Sequence, residues 1–140
     1  MIYIGIDPGT HTGYAVWDSR RGQFLSLETI PIHRAMMDVL HWQQECLQSR
    51  DNLFVVFEDA RQRTWFGHGN VNAKAQGAGS VKRDCSIWED FLKDYDIPFQ
   101  AKPPVKGATK VTPAYFKMIS NYQGRTSEHS RDAAMLVIGR

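Results

Sequence analysis

Short apolar runs broken by polar turns organise the first sixty residues. Ile2 to Ile6 is dense in β-formers, too short for a helix, and followed by Pro8-Gly9. That pattern predicts a buried strand whose last residue is Asp7, then a tight turn. Gly13-Tyr-Ala-Val-Trp17 resumes a strand pattern. Gln23 to Ile30 alternates as a third strand after an Arg20-Arg21-Gly22 turn. Apolar residues at Met36, Met37, Leu40, Cys46 and Leu47 then predict a helix over 34–49. Leu53 to Glu58 reads as a second fully buried strand that ends on a carboxylate.

The second half has fewer strands. A Gly-, Asn- and Ala-rich region, 67–80, precedes a helical pattern through Ile87, Trp88, Phe91 and Leu92, and a short strand follows over 97–101. Thr112-Pro113 is an N-cap with a first-turn proline, opening a helix with Tyr115, Phe116 and Ile119. Ser127 is placed to cap a last helix that runs on through 133–138. Three sequential strands read as a meander, and the later alternation as crossovers onto parallel strands. The expected architecture is α/β: a mixed five-stranded sheet with helices on both faces.

At 140 residues and 42% hydrophobic, the chain suits one domain, 1–140, with a core of its own. No apolar run approaches the ~20 residues of a membrane span, and the N-terminus lacks a basic start and a cleavage site. Cys46 and Cys85 are too few for a disulfide framework and read as reduced thiols. A cytoplasmic protein without membrane attachment is expected.

The net charge of +2 is uninformative, but its distribution is not. Arg61, Arg63, Lys74, Lys82 and Arg83 fall in 60–83, and Lys102, Lys106, Lys110, Lys117 and Arg125 in 97–127, with no acid in either stretch. Two such stretches in one small domain suggest a polyanion surface; the plainer alternative is a pair of solvated loops.

A carboxylate at the end of a core strand is costly unless paired, hydrogen-bonded or metal-bound. If the strands ending on Asp7 and Glu58 are adjacent and parallel, the two acids meet at one edge of the sheet. His129 and Asp132, three apart on the last helix, share a face and can point at the same place. Three acids and an imidazole would raise one another's proton affinity without a cation, and an oxygen-rich set suits Mg²⁺ or Mn²⁺ rather than zinc. Read singly, each has a plainer role: Glu58 paired with Arg61 or Arg63, His129 as a first-turn residue, Asp132 as an exposed helix acid.

Together, Ile4-Gly-Ile-Asp7-Pro-Gly-Thr-x-x-x-Gly13, Val56-Phe-Glu58 and His129-x-x-Asp132-Ala133 resemble the RuvC family of Holliday junction resolvases over nearly the whole chain. The resemblance implies an RNase H-like fold, a homodimer, and symmetric nicking of four-way DNA junctions with Mg²⁺ or Mn²⁺, two ions per site. It implies that Asp7, Glu58 and Asp132 are carboxylate ligands, with His129 where family members carry an aspartate or a histidine, so that its role as ligand or as general base stays open. Lys106 and Lys110 correspond to a shortened form of a phosphate-facing pair. Trp65 and Phe66 fall where the family places an aromatic that enters the junction centre, either one being the wedge, the alternative being core packing under the loop; the charge distribution makes Arg61, Arg63, Lys74, Lys82 and Arg83 the candidate DNA contacts on either side. The competing classes are an RNase H-like nuclease for another branched or hybrid substrate, a non-catalytic DNA-binding module, and an actin-like nucleotide-binding domain. The last needs two duplicated domains, for which the chain is too short.

Overall fold

The computed structural model describes the backbone of residues 1–64 and 71–140 and the side chains of 1–64 and 77–140. Three strands open the chain, β1 (Ile2–Asp7), β2 (His11–Asp18) and β3 (Gln23–Pro31), followed by helix α1 (Ile32–Ser49) and β4 (Leu53–Glu58). A 3-10 turn (Ala60–Gln62), α2 (Val71–Asp94), β5 (Phe99–Lys102), α3 (Pro113–Ser120) and α4 (Glu128–Met135) complete it. The five strands form one mixed sheet in the order β3-β2-β1-β4-β5. β1 pairs antiparallel with β2 and parallel with β4, and β4 pairs parallel with β5, as the meander-then-crossover reading expects.

Strand alternation divides the apolar side chains into two layers. Ile2, Ile4, Ile6, Val55 and Phe57 pack with Val39 of α1 and Trp88 and Leu92 of α2. On the other face Ala15, Trp17, Phe24 and Val56 pack with Phe116 of α3 and Ala133, Ala134 and Val137 of α4 and the turn after it. Burying two such layers is the main favourable contribution to folding. The same alternation puts Asp7 and Glu58 on the α4 side, in step with Gly5 and Val56.

Two boundaries differ from the sequence reading. Helix α2 starts at Val71, inside the stretch read as a Gly-rich region. Alanine, lysine and glutamine there sustain a helix without an apolar face, and Gly77 and Gly79 each cost only about 1 kcal/mol. Helix α4 ends at Met135 and its apolar continuation packs as a turn; Val137 is buried all the same. Both predicted caps are present: Thr112 accepts from the Tyr115 amide, and Ser127 forms a reciprocal capping box with Ser130. Cys46 and Cys85 are buried free thiols, and among the described residues no helix is long and apolar enough to cross a membrane.

Candidate active site

The parallel register of β1 and β4, matched from Ile2–Leu53 to Ile6–Phe57, brings Asp7 and Glu58 level at the same end of the sheet. α4 supplies the other two groups, and it comes close to the sheet where β1 and β2 carry Gly5 and Gly13. A Cβ on Gly5 would stand 2.1 Å from the Ala133 carbonyl oxygen, and one on Gly13 would stand 2.0 Å from that of His129. Glycine in a strand interior marks such a close approach of backbone to backbone. The helix start is further pinned by the capping box and by a hydrogen bond between Ser127 Oγ and Thr29 Oγ1 of β3.

So seated, α4 puts His129 Nδ1 in a 2.9 Å hydrogen bond with Asp7 Oδ2. Asp132 forms an ion pair with Lys110, whose ammonium also lies 3.5 Å from Glu128. Burial raises the Asp7 carboxyl above its ordinary range; the His129 hydrogen bond opposes this, and the Asp132 charge adds to it. Burial likewise raises Glu58, reinforced by the charges of Asp7 and Asp132 and eased by Lys110 and Arg63. Removal from water lowers Lys110, but Asp132, Glu128 and Asp7 outweigh it and hold its proton more tightly. The site is thus an acid cluster in which burial, with repulsion between the acids, raises Asp7 and Glu58.

Among the described residues no group of three His, Cys, Asp or Glu side chains stands placed to hold a metal ion. The Lys110 ammonium is the cation bound to Asp132 instead. The donor chemistry nevertheless fits a hard divalent ion: three carboxylates and an imidazole, with two of the carboxylates raised by burial and mutual repulsion.

The basic candidates divide. Arg61 is committed within the protein: its Nε donates to Asp59 Oδ1 at 2.8 Å, and its Nη2 donates to Asp59 and to Glu89 of α2. These contacts and the Gln62 side chain hold Asp59 low against the opposing effect of burial. Arg61 is therefore paired with Asp59 and Glu89 rather than with Glu58. Arg63 eases Glu58 electrostatically and lines the cavity next to it with Lys102 and Lys110. Lys106 is exposed on the same loop. Lys82 and Arg83 lie on α2, Arg83 being 3.8 Å from Asp84. Trp65 and Phe66, and the side chain of Lys74, lie outside the described residues.

Sequence reasoning missed two contributors. Glu128 shares Lys110 with Asp132. Arg131, buried between the two site residues of α4, donates through Nε to the Val111 carbonyl at 2.8 Å and through Nη1 to the Thr126 carbonyl and hydroxyl. It ties the Lys110 loop to the helix. Only its place inside the motif hinted at it, since an arginine between ligand positions reads as a substrate contact. No family model matches the chain, and neither a curated protein nor a solved structure does.

Proposed function

We propose that the chain is a metal-dependent endonuclease of the RNase H-like kind that cuts four-way branched DNA, as its resemblance to the RuvC resolvases implies. The observation that carries this reading is the convergence of Asp7, Glu58, His129 and Asp132, from β1, β4 and α4, at one end of the sheet. Asp7, Glu58 and Asp132 would hold Mg²⁺ or Mn²⁺, with His129 beside them, and the bound ions would supply an activated water and charge for the leaving oxygen.

The chain's own residues prepare that chemistry. β1 and β4 fix Asp7 and Glu58 on rigid elements, and His129 holds one oxygen of Asp7. Lys110 pairs with Asp132 and would meet an approaching phosphate. A four-way junction has two-fold symmetry, so two copies with sites on one surface would make paired cuts. The mixed sheet with helices on both faces fits the RNase H-like fold.

The test is a labelled synthetic junction incubated with Mg²⁺ or EDTA, beside linear duplex and RNA–DNA hybrid. Symmetric nicks with Mg²⁺ alone are expected, and Asp7→Asn should bind the junction but not cut it, because affinity rests on phosphate contacts. Undiminished cutting by Asp7→Asn overturns the assignment, and preferred cutting of the hybrid would select the other RNase H-like substrate.

A further inference from the structure

A second cavity, of about 430 Å³, lies between α3 and the loop 121–126 that leads into α4, within the range of small-molecule sites, about 300–1,000 Å³. It shares no lining residue with the cavity beside Glu58. Pro113, Ala114, Phe116 and the Tyr122 ring give it an apolar wall, and Lys117 of α3 and Arg125 of the loop bring two cations. Among the described residues no Asp or Glu lines it, and neither cationic side chain has a hydrogen bond, ion pair or ring contact.

These features select an occupant. Two unpaired cations with no acid in the wall attract an anion. A carboxylate brings one charge to them. A phosphate ester brings close to two at neutral pH and several oxygens, which an ammonium and a guanidinium fork can share. The apolar wall then asks for an organic body on the phosphate, and a nucleoside supplies one of the right kind, a flat ring system beside the Tyr122 ring.

The cavity is also joined to the acid cluster, through Arg131. Its Nη1 donates to the carbonyl and hydroxyl of Thr126 in the cavity wall, and its Nε donates to the carbonyl of Val111, just before α3. α3 itself buries only Phe116. A ligand held by Lys117 on one side and Arg125 on the other would therefore fix both segments that Arg131 grips. Fixing them holds α4, which carries His129 and Asp132.

We infer that this cavity binds a nucleoside phosphate, with the phosphate between Lys117 and Arg125, and that its occupation holds α4 on the sheet. The phosphate can belong to a free nucleotide or to a DNA strand, since the recognising chemistry is the same. Neither part requires that the acids cut DNA.

The test uses the full chain in EDTA, so that no divalent ion at the acids draws in the phosphate. Calorimetry with deoxyadenosine monophosphate, and with a short oligodeoxyadenylate lacking a terminal phosphate, gives a Kd for each. Deuterium exchange of the α4 amides is then followed with each probe at about ten times its Kd. Exchange should slow about tenfold, because a ligand that binds only the docked state multiplies its population by one plus the ratio of concentration to Kd. Unphosphorylated deoxyadenosine should not slow it. Lys117→Ala with Arg125→Ala should weaken phosphate binding by about tenfold or more; both side chains are exposed, so the fold should be kept. Lys117→Arg, which keeps the charge, should bind as the parent does.

Slowing by the mononucleotide upholds the site with a free nucleotide as its ligand, and slowing by the oligonucleotide alone upholds it with a DNA strand. Three results overturn the inference and leave the nuclease reading intact. They are no slowing with either probe, slowing that persists undiminished in the double variant, and tighter binding of a capped peptide of alternating glutamate and phenylalanine than of either probe.

Discussion

Replacing Gly13 by alanine tests whether the close seating of α4 builds the site. Gly13 pairs with Asp7 across β1 and β2. Its new methyl carbon would stand 2.0 Å from the His129 carbonyl oxygen, 2.5 Å from the carbonyl carbon and 3.0 Å from the Asp7 Cβ. Ordinary contacts begin at 3.4 Å, so the first turn of α4 must retreat by roughly 1 Å or more, and overpacking of this kind costs about 1–3 kcal/mol. The neighbours here are backbone atoms that no rotamer change can move, which places the cost at the upper end. For a chain of this length each kcal/mol is worth about 3 °C in Tm, so melting should fall by about 6–10 °C. The retreat also carries His129 and Asp132 from Asp7, and a displacement of about 1 Å can cost ~100-fold in rate. Gly79→Ala is the control: among the described residues nothing lies within 4 Å of its added carbon, and in the interior of α2 it should gain up to about 1 kcal/mol without touching activity. The assays are thermal unfolding followed by circular dichroism, and single-turnover cleavage at a temperature where both proteins are folded. A Gly13→Ala protein that melts within about 2 °C of the parent and cuts at the parental rate would refute the argument.

Glu58→Gln removes a carboxyl whose folded-state proton affinity is raised above its ordinary 4.5 by burial and by Asp7 and Asp132. The folded chain then holds the proton to higher pH than the unfolded one, so the penalty is absent below 4.5 and grows as pH rises through the raised value. Without divalent ion the variant should be more stable than the parent at pH 7, by about 1 kcal/mol, and the two should converge near pH 4, as urea unfolding across pH would measure; a variant less stable at pH 7 would contradict the electrostatic picture. Lys110→Ala strips the counter-charge from Asp132, so Mn²⁺ affinity by calorimetry should rise while junction binding loses about one unit of salt slope. Weaker Mn²⁺ binding together with an unchanged slope would show that Lys110 only decorates its loop.

The sheet was readable because β1 and β4 are short apolar runs of strand length, and their flanking turns carry Pro, Gly or Asn. The meeting of Asp7 and Glu58 was readable only on the condition that β1 and β4 are parallel neighbours, which the register supplies, and the Ser127 cap was readable from local chemistry. Partnerships between distant side chains were not readable. Arg61 looks like any loop cation in sequence; its pairing with Asp59 and with Glu89 on α2 is visible only in the fold. Nothing in the sequence shows that the loop folds Lys110 against Asp132. The start of α2 escaped notice because it rests on helix propensity rather than on an apolar stripe, and periodicity detects only the stripe.

Helix α4 has eight residues, fewer than the about 12–15 at which an isolated helix persists in water. Its helical state is therefore a property of docking, through Gly5, Gly13, the Thr29 contact and the Arg131 fastening. Each time it lifts from the sheet, His129 and Asp132 leave with it, and the remaining carboxylates no longer constitute a site. The competent fraction of the protein is thus an equilibrium constant, set by the opening free energy of one short segment. Exchange of the α4 amide hydrogens with deuterium reads that constant directly, in a protein that has met neither metal nor DNA.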